Sequence, residues 1–236
     1  MTNEEIQAIL ESTFNRLAFF CRDLDLDENL VAKYQPNQIL MERAPIHVAY
    51  KIRGLAKNCR YLIASSKAYD PSPMLLQPQE YAHAVIPSGA FFKVLNIHKE
   101  NGKTQILLLH IPEEGVPLFA SSKINIEDLI IEKGKKLFNE AISSKPLEEL
   151  QSDYYLDETT AFPIGMSKKG EFFLKGKINT TSNEVETKTK LKKETTSNEV
   201  KSKEHNTENI VNKEVETKAE NPKKKKKGFW SRLFGK

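Results

Sequence analysis

Cys21, Cys59, His47, His83, His98 and His110 are the side chains of the first 176 residues whose chemistry best suits nucleophilic or metal work. Two isolated cysteines are too few for a disulfide framework or a zinc site, and free cysteine usually packs as a small hydrophobe. Both therefore read as reduced, buried and structural. The four histidines fall at no metal-ligand spacing, and His98 and His110 belong to different faces of one hairpin, so each reads as an ordinary hydrogen-bonded side chain. A Cys59–His83 nucleophile and base pair requires only that the fold bring them together, but no activating context surrounds either residue. "NGKT" at 101–104 has the ending of a phosphate loop without its preceding glycine, and it sits where a hairpin turn is expected. The carboxylates of "DLDLDE" lack the glycine and distal Glu of a calcium loop. Lys51, Arg53, Lys57 and Arg60 cluster near one turn and read as a solubilising hairpin end, with contact to an anionic partner as the alternative. No catalytic residue, cofactor or metal is expected from these patterns.

The elements that would carry these residues follow from periodicity. Ile6, Ile9, Leu10, Thr13, Phe14, Leu17, Phe20, Cys21 and Leu24 recur at spacings of three and four, which predicts a helix over about 3–24 capped by Thr2 or Asn3. In "PIHVAYKIRG" Ile46, Val48, Tyr50 and Ile52 alternate with polar or small residues, and "RYLIASS" reads as the returning strand, a first hairpin over about 45–66. A second hairpin over about 90–111 turns at Asn101-Gly102, a dipeptide that tolerates positive φ. That turn would set Glu100 opposite Lys103, Ile97 opposite Ile106, Leu95 opposite Leu108, Val94 opposite Leu109 and Phe92 opposite Ile111. Apolar pairs on both faces make this hairpin central. A helix near 125–142 carries Ile126, Leu129, Ile130, Leu137, Phe138 and Ala141 at helical spacing, with Gly134 as a weak point. The expected class is α+β, an antiparallel sheet of two hairpins covered by two helices, because strands joined by tight turns cannot be parallel neighbours.

Near residue 176 the composition changes. "TTSNEV" occurs at 180 and 195, and "EVETK" at 184–188 and 214–218 brackets "EVKSK" at 199–203. Isolated apolar residues cannot bury a core, so 177–222 reads as a disordered low-complexity linker, of which a 44-residue stretch would span roughly 35–40 Å. The domains expected are a globular unit over 1–176, this linker, and a polybasic tail over 223–236. The whole chain is +4, while residues 1–178 are net −2, so the basic balance belongs to the tail. The acidic start "MTNEEIQAIL" is unlike a secretory signal, and no apolar run approaches the roughly 18 residues of a membrane span.

In the tail, Lys223, Lys224, Lys225, Lys226 and Lys227 precede Phe229, Trp230, Leu233 and Phe234, which share one face of a helix, with Arg232 and Lys236 elsewhere. Alone in water so short a segment holds no helix, and an anionic bilayer offers both charge attraction and apolar burial. "KKGFWSRLFGK" resembles the C-terminal membrane-targeting helix of MinD-type peripheral bacterial proteins. The resemblance covers about a dozen residues and implies that Phe229, Trp230, Leu233 and Phe234 insert while Lys226, Lys227 and Arg232 meet lipid phosphates. The phosphate loop of those ATPases is missing, so it implies nothing about catalysis. A nuclear import signal in "PKKKKKG", nucleic-acid contact, and docking of the aromatic face in a protein groove are the other readings of the same residues.

Taken together, the sequence leads to the expectation of a non-enzymatic adaptor at the cytoplasmic face of the inner membrane. Its partners would be an anionic lipid surface and another protein, with nucleic acid not expected. The alternatives are an enzyme of unrecognised type, hydrolase or nucleotide-related, in the N-terminal domain, and a nucleic-acid binder using the lysine-rich tail. An enzyme would show a deep polar pocket with convergent titratable groups, an adaptor an exposed apolar patch or groove.

Overall fold

The structure, a computed structural model, describes residues 1–74, 83–151 and 162–173. The linker and tail expected over 177–236, with every lipid-binding candidate from Lys223 to Lys236, lie outside the described residues. The architecture is mixed α+β, a seven-stranded sheet with a few helices.

Helix α1 (Asn3–Phe14) begins at a capping box: the Glu5 amide donates to Thr2 Oγ1 at 3.2 Å and the Thr2 amide to Glu5 Oε2 at 2.7 Å. It stops at Phe14, ten residues short of where the apolar stripe ends, and Arg16 takes a left-handed φ of 59°. Residues Ala18–Leu24 are instead strand β1, buried on both faces after its first two positions. A strand buried on both faces has no period-two signature, so the helical spacing of Leu17, Phe20, Cys21 and Leu24 is accidental there.

The short helix α2 (Glu28–Val31) leads to strands β2 (Ile39–Met41), β3 (Ile46–Ala49), β4 (Cys59–Ser65), β5 (His83–Ile86), β6 (Phe91–Glu100) and β7 (Lys103–Ile111). Their order across the sheet is β2-β6-β7-β4-β1-β3-β5. The first expected hairpin is therefore split. β1 lies between β3 and β4, antiparallel to both, with Cys21 opposite Ala49 on one side and Leu62 on the other. β4 and β7 are parallel neighbours, which their separation by more than a tight turn allows.

The second hairpin forms as expected. Asn101 (φ 51°) and Gly102 (φ 71°) make its turn, Glu100 pairs with Lys103 and Ile97 with Ile106. Beyond that a bulge at Leu95 shifts the register by one, so that Val94 faces Leu108, Phe92 faces His110 and Phe91 faces Ile111. The extra residue lets Phe92, Val94 and Ile97 all pack on one face while Leu95 packs on the other. A Cβ on Gly102 would meet nothing within 4 Å, so Gly102→Ala tests the backbone alone. It is expected to cost about 1 kcal/mol in urea unfolding, because alanine pays for a positive φ.

Helices α3 (Val116–Ser121) and α4 (Ile126–Ile142) lie with α1 on one face of the sheet, over Leu62, Ala64, Leu107, Leu109 and Ile111. Gly134 is a close-approach position and no weak point: a Cβ there would stand 2.9 Å from Leu107 Cδ2. The opposite face packs Tyr61, Ile63, Phe92, Ile106 and Leu108 under Tyr34, Leu40, Ile164 and Met166. Among the described residues no helix is long and apolar enough to cross a membrane, and no group of three or more His, Cys, Asp or Glu is placed to hold a metal.

Candidate functional site

The carboxyl ends of β4 and β7 bring a hydroxyl and an imidazole together. Alternation along β4 sends Ser65 to the same face as Tyr61 and Ile63, and alternation along β7 sends His110 to the face of Ile106 and Leu108. Their parallel pairing, Ala64 beside Leu109, sets the next residues side by side. Ser65 Oγ lies 2.8 Å from His110 Nδ1. The Lys67 amide donates to the same Oγ at 3.1 Å, so the hydroxyl accepts from the backbone and its own proton is available to the ring. Next to it Ser66 Oγ donates to the Ser12 carbonyl at 2.7 Å, tying this strand end to α1.

The environment keeps His110 neutral. Burial, with a smaller push from the Lys67 charge, brings its pKa from 6.5 down to about 4, and the Phe92 ring lies against it at 5.2 Å between centroids. A neutral imidazole accepting at Nδ1 is the form a base needs. The same shift makes a stability prediction. Between pH 6.5 and 4 the unfolded chain binds a proton that the fold refuses, so stability is full above 6.5 and falls as pH drops toward 4. From pH 7 to pH 5 this group alone is expected to remove about 2 kcal/mol, read by urea unfolding, and His110→Gln should remove that part of the pH dependence.

The residues singled out by sequence are placed elsewhere. Cys59 belongs to the core on one face, whereas His83 alternates with the core residues Ala84 and Ile86 and so points to the other; they form no pair. Burial pushes both Cys21 and Cys59 up to about 12, which makes them inert thiols. His83 stacks on His47, Nε2 to Nδ1 at 2.8 Å, near the β5 edge. His98 stands edge-on to Phe138. Asp25 pairs with Lys57 at the surface. Arg60 is no part of a solubilising hairpin end: it is fully buried, with Nε and Nη2 on the Asp23 carboxylate at 2.6 and 2.7 Å.

A second buried polar group is structural. Tyr34 donates to the Ile164 carbonyl at 2.7 Å, Tyr61 therefore donates to Tyr34 at 2.7 Å, and the Ile164 amide donates back to Tyr61 at 3.2 Å. Burial raises both phenols above their ordinary range. Glu42 accepts the Gly165 amide at 2.8 Å and Arg22 donates to the Phe162 carbonyl at 2.9 Å, so these four side chains clamp the segment around 162–165.

Sequence reasoning missed Ser65, Ser66 and Arg22, and passed over His110 as ordinary. The signal for Ser65 was faint: a hydroxyl pair closing the apolar run "YLIA" in "YLIASS".

No protein-family model matches the chain, and no curated protein matches it in sequence. Solved structures do show local similarity. The type III effector XopAI of Xanthomonas axonopodis pv. citri aligns at 15% identity over 43% of this chain and 46% of its own, with a TM-score of 0.37. The ADP-ribosyltransferase HopU1 of Pseudomonas syringae pv. Tomato aligns at 16% identity over 40% and 45%, TM-score 0.36. Vis of Vibrio splendidus, also an ADP-ribosyltransferase, aligns at 12% over 42% and 51%, TM-score 0.34. This chain spans about half the length of each. The expectation of a non-enzymatic adaptor is corrected by these neighbours, since those named by activity are enzymes; at such scores none of them passes its own reaction to this chain.

Proposed function

We propose that the described domain is an enzyme that uses the Ser65 hydroxyl as nucleophile and His110 as its base, in hydrolytic or group-transfer chemistry. The 2.8 Å hydrogen bond between Ser65 Oγ and His110 Nδ1 carries this reading, with the imidazole in the tautomer that accepts at Nδ1. As Oγ attacks an electrophilic carbon, its proton passes to Nδ1, and the leaving group takes that proton from the resulting imidazolium. Water then enters by the reverse path to release the acyl group. The apolar surroundings of His110 make the imidazolium a costly species there, which places the base on the weak side and favours activated substrates.

Active-site labelling tests the assignment. The full chain is treated with a fluorophosphonate and the modified peptide located by mass spectrometry, in parallel with a panel of activated esters and with NAD+, the last because ADP-ribosyl transfer is the activity named for HopU1 and Vis. Labelling at Ser65, lost in Ser65→Ala and slowed about 10²- to 10⁴-fold in His110→Ala, is the expected outcome. Turnover that survives Ser65→Ala, on esters or on NAD+, would show that the reacting groups lie elsewhere.

A further inference from the structure

An apolar groove of about 470 Å³ opens between α1 and the start of α4, lined by Gln7, Leu10, Glu11 and Phe14 on one wall and Ile124, Asn125 and Ile126 on the other. The first four are one helical face at i, i+3, i+4 and i+7, displaced from the stripe of Ile9 and Thr13 that packs inward. Leu10 and Ile124 are only partly buried, and Leu129 on the same helix as Ile126 is 46% exposed. The domain thus presents an apolar slot that the described residues leave uncovered.

We propose that this groove seats the chain's own C-terminal segment, with Phe229, Trp230, Leu233 and Phe234 against Leu10, Phe14 and Ile124. Charge complementarity is the first argument. From Asn3 to Phe14 α1 carries Glu4, Glu5 and Glu11 and no basic residue, while Lys223 to Lys227 immediately precede the aromatic cluster. Lys123, next to the groove residue Ile124, is paired with Asp128 at 2.6 Å.

Length is the second argument. Forty-nine residues lie between Phe173, the last described residue, and Lys223. A flexible chain of that length spans roughly 35–42 Å r.m.s., and a domain of this size is about 40 Å across, so the tail reaches any point on its own surface. Such a tether holds its end at an effective concentration near millimolar. An intrinsic dissociation constant of only about 100 µM would then leave the docked form about tenfold in excess. At micromolar protein the tail of a second copy is far more dilute, which favours the chain's own tail as occupant.

Trp230 is the single tryptophan of the protein, so its fluorescence in the full chain reads the seat directly. Acrylamide quenching of Trp230 is expected to be several-fold weaker in the native chain than in urea, and independent of protein concentration. Leu10→Asp should raise quenching to the urea level. Glu11→Lys, at an exposed position that folding does not need, should do so in part and increasingly at low salt. Circular dichroism verifies that both variants fold. Quenching in the native chain equal to that in urea, or unmoved by both variants, overturns the proposal. So does protection that grows with concentration, which marks a second copy, or that appears only with anionic vesicles, which marks a lipid seat.

Discussion

Asp23→Ala is expected to destabilise the domain by about 3–5 kcal/mol, the range for stranding one partner of a buried ion pair. Asp23 and Arg60 are adjacent in the register of β1 and β4 and almost wholly out of solvent, and both oxygens of the carboxylate are engaged. Asp23 Oδ2 also accepts the Ala56 amide at 2.8 Å, while Arg60 donates to the Arg53 and Gly54 carbonyls at 2.7 and 2.9 Å. One ion pair thereby organises the whole connection between β3 and β4. Removing the carboxylate leaves a guanidinium in the core and loosens that loop at once. Urea unfolding of Asp23→Ala, Arg60→Met and the double variant Asp23→Leu/Arg60→Met reads the effect. The double variant should recover much of the loss, because it removes both charges and fills their space. Three equal losses would mean that the loop contacts matter more than the charge.

Lys93→Ala is expected to cost a similar 3–5 kcal/mol by the same logic at a different joint. Lys93 Nζ donates to both Glu127 oxygens and to the Ser122 carbonyl, each at 3.0 Å, and so fastens the start of α4 to strand β6. Both side chains are about 2% exposed. Burial outweighs the attraction of Lys93 and holds the Glu127 carboxyl above its ordinary range. A carboxyl raised in the fold contributes stability that is complete below its unfolded pKa and lost as pH rises through the folded value. The loss in Lys93→Ala should therefore shrink on acidification, as Glu127 takes a proton and its stranded charge disappears. Glu127→Gln, which keeps an acceptor for Lys93, should cost less than Lys93→Ala. A Lys93→Ala deficit that is flat from pH 7 to pH 4.5 would contradict this account.

Both joints involve charged residues on strands that read as apolar, and this marks where sequence reading fails. The apolar content of "YLIASS" and "FFKVLNI" marks both as strands, and the Asn-Gly turn sets β6 against β7. Lys93 was invisible as a core residue because only the bulge at Leu95 keeps it turned toward α4. Arg60 reads as a solvent residue because its partner, Asp23, stands 37 positions earlier in a segment that reads as helix. Reading β1 as helix cost the most. It hid the strand that separates β3 from β4, and with it the parallel pairing of β4 with β7 that sets Ser65 beside His110.

Local chemistry alone determined the capped N-terminal helix, the hairpin at Asn101-Gly102, the amphipathic helix over Ile126–Ile142 and the buried character of both cysteines. These follow from side chains a few positions apart, where periodicity and turn preference act directly. Tertiary structure decided the strand order, the register beyond the bulge, both buried ion pairs and the Ser65–His110 contact. Each of these joins residues tens of positions apart whose own neighbours look the same in either arrangement. Burial on both faces of a sheet removes the polar alternation that would otherwise announce them.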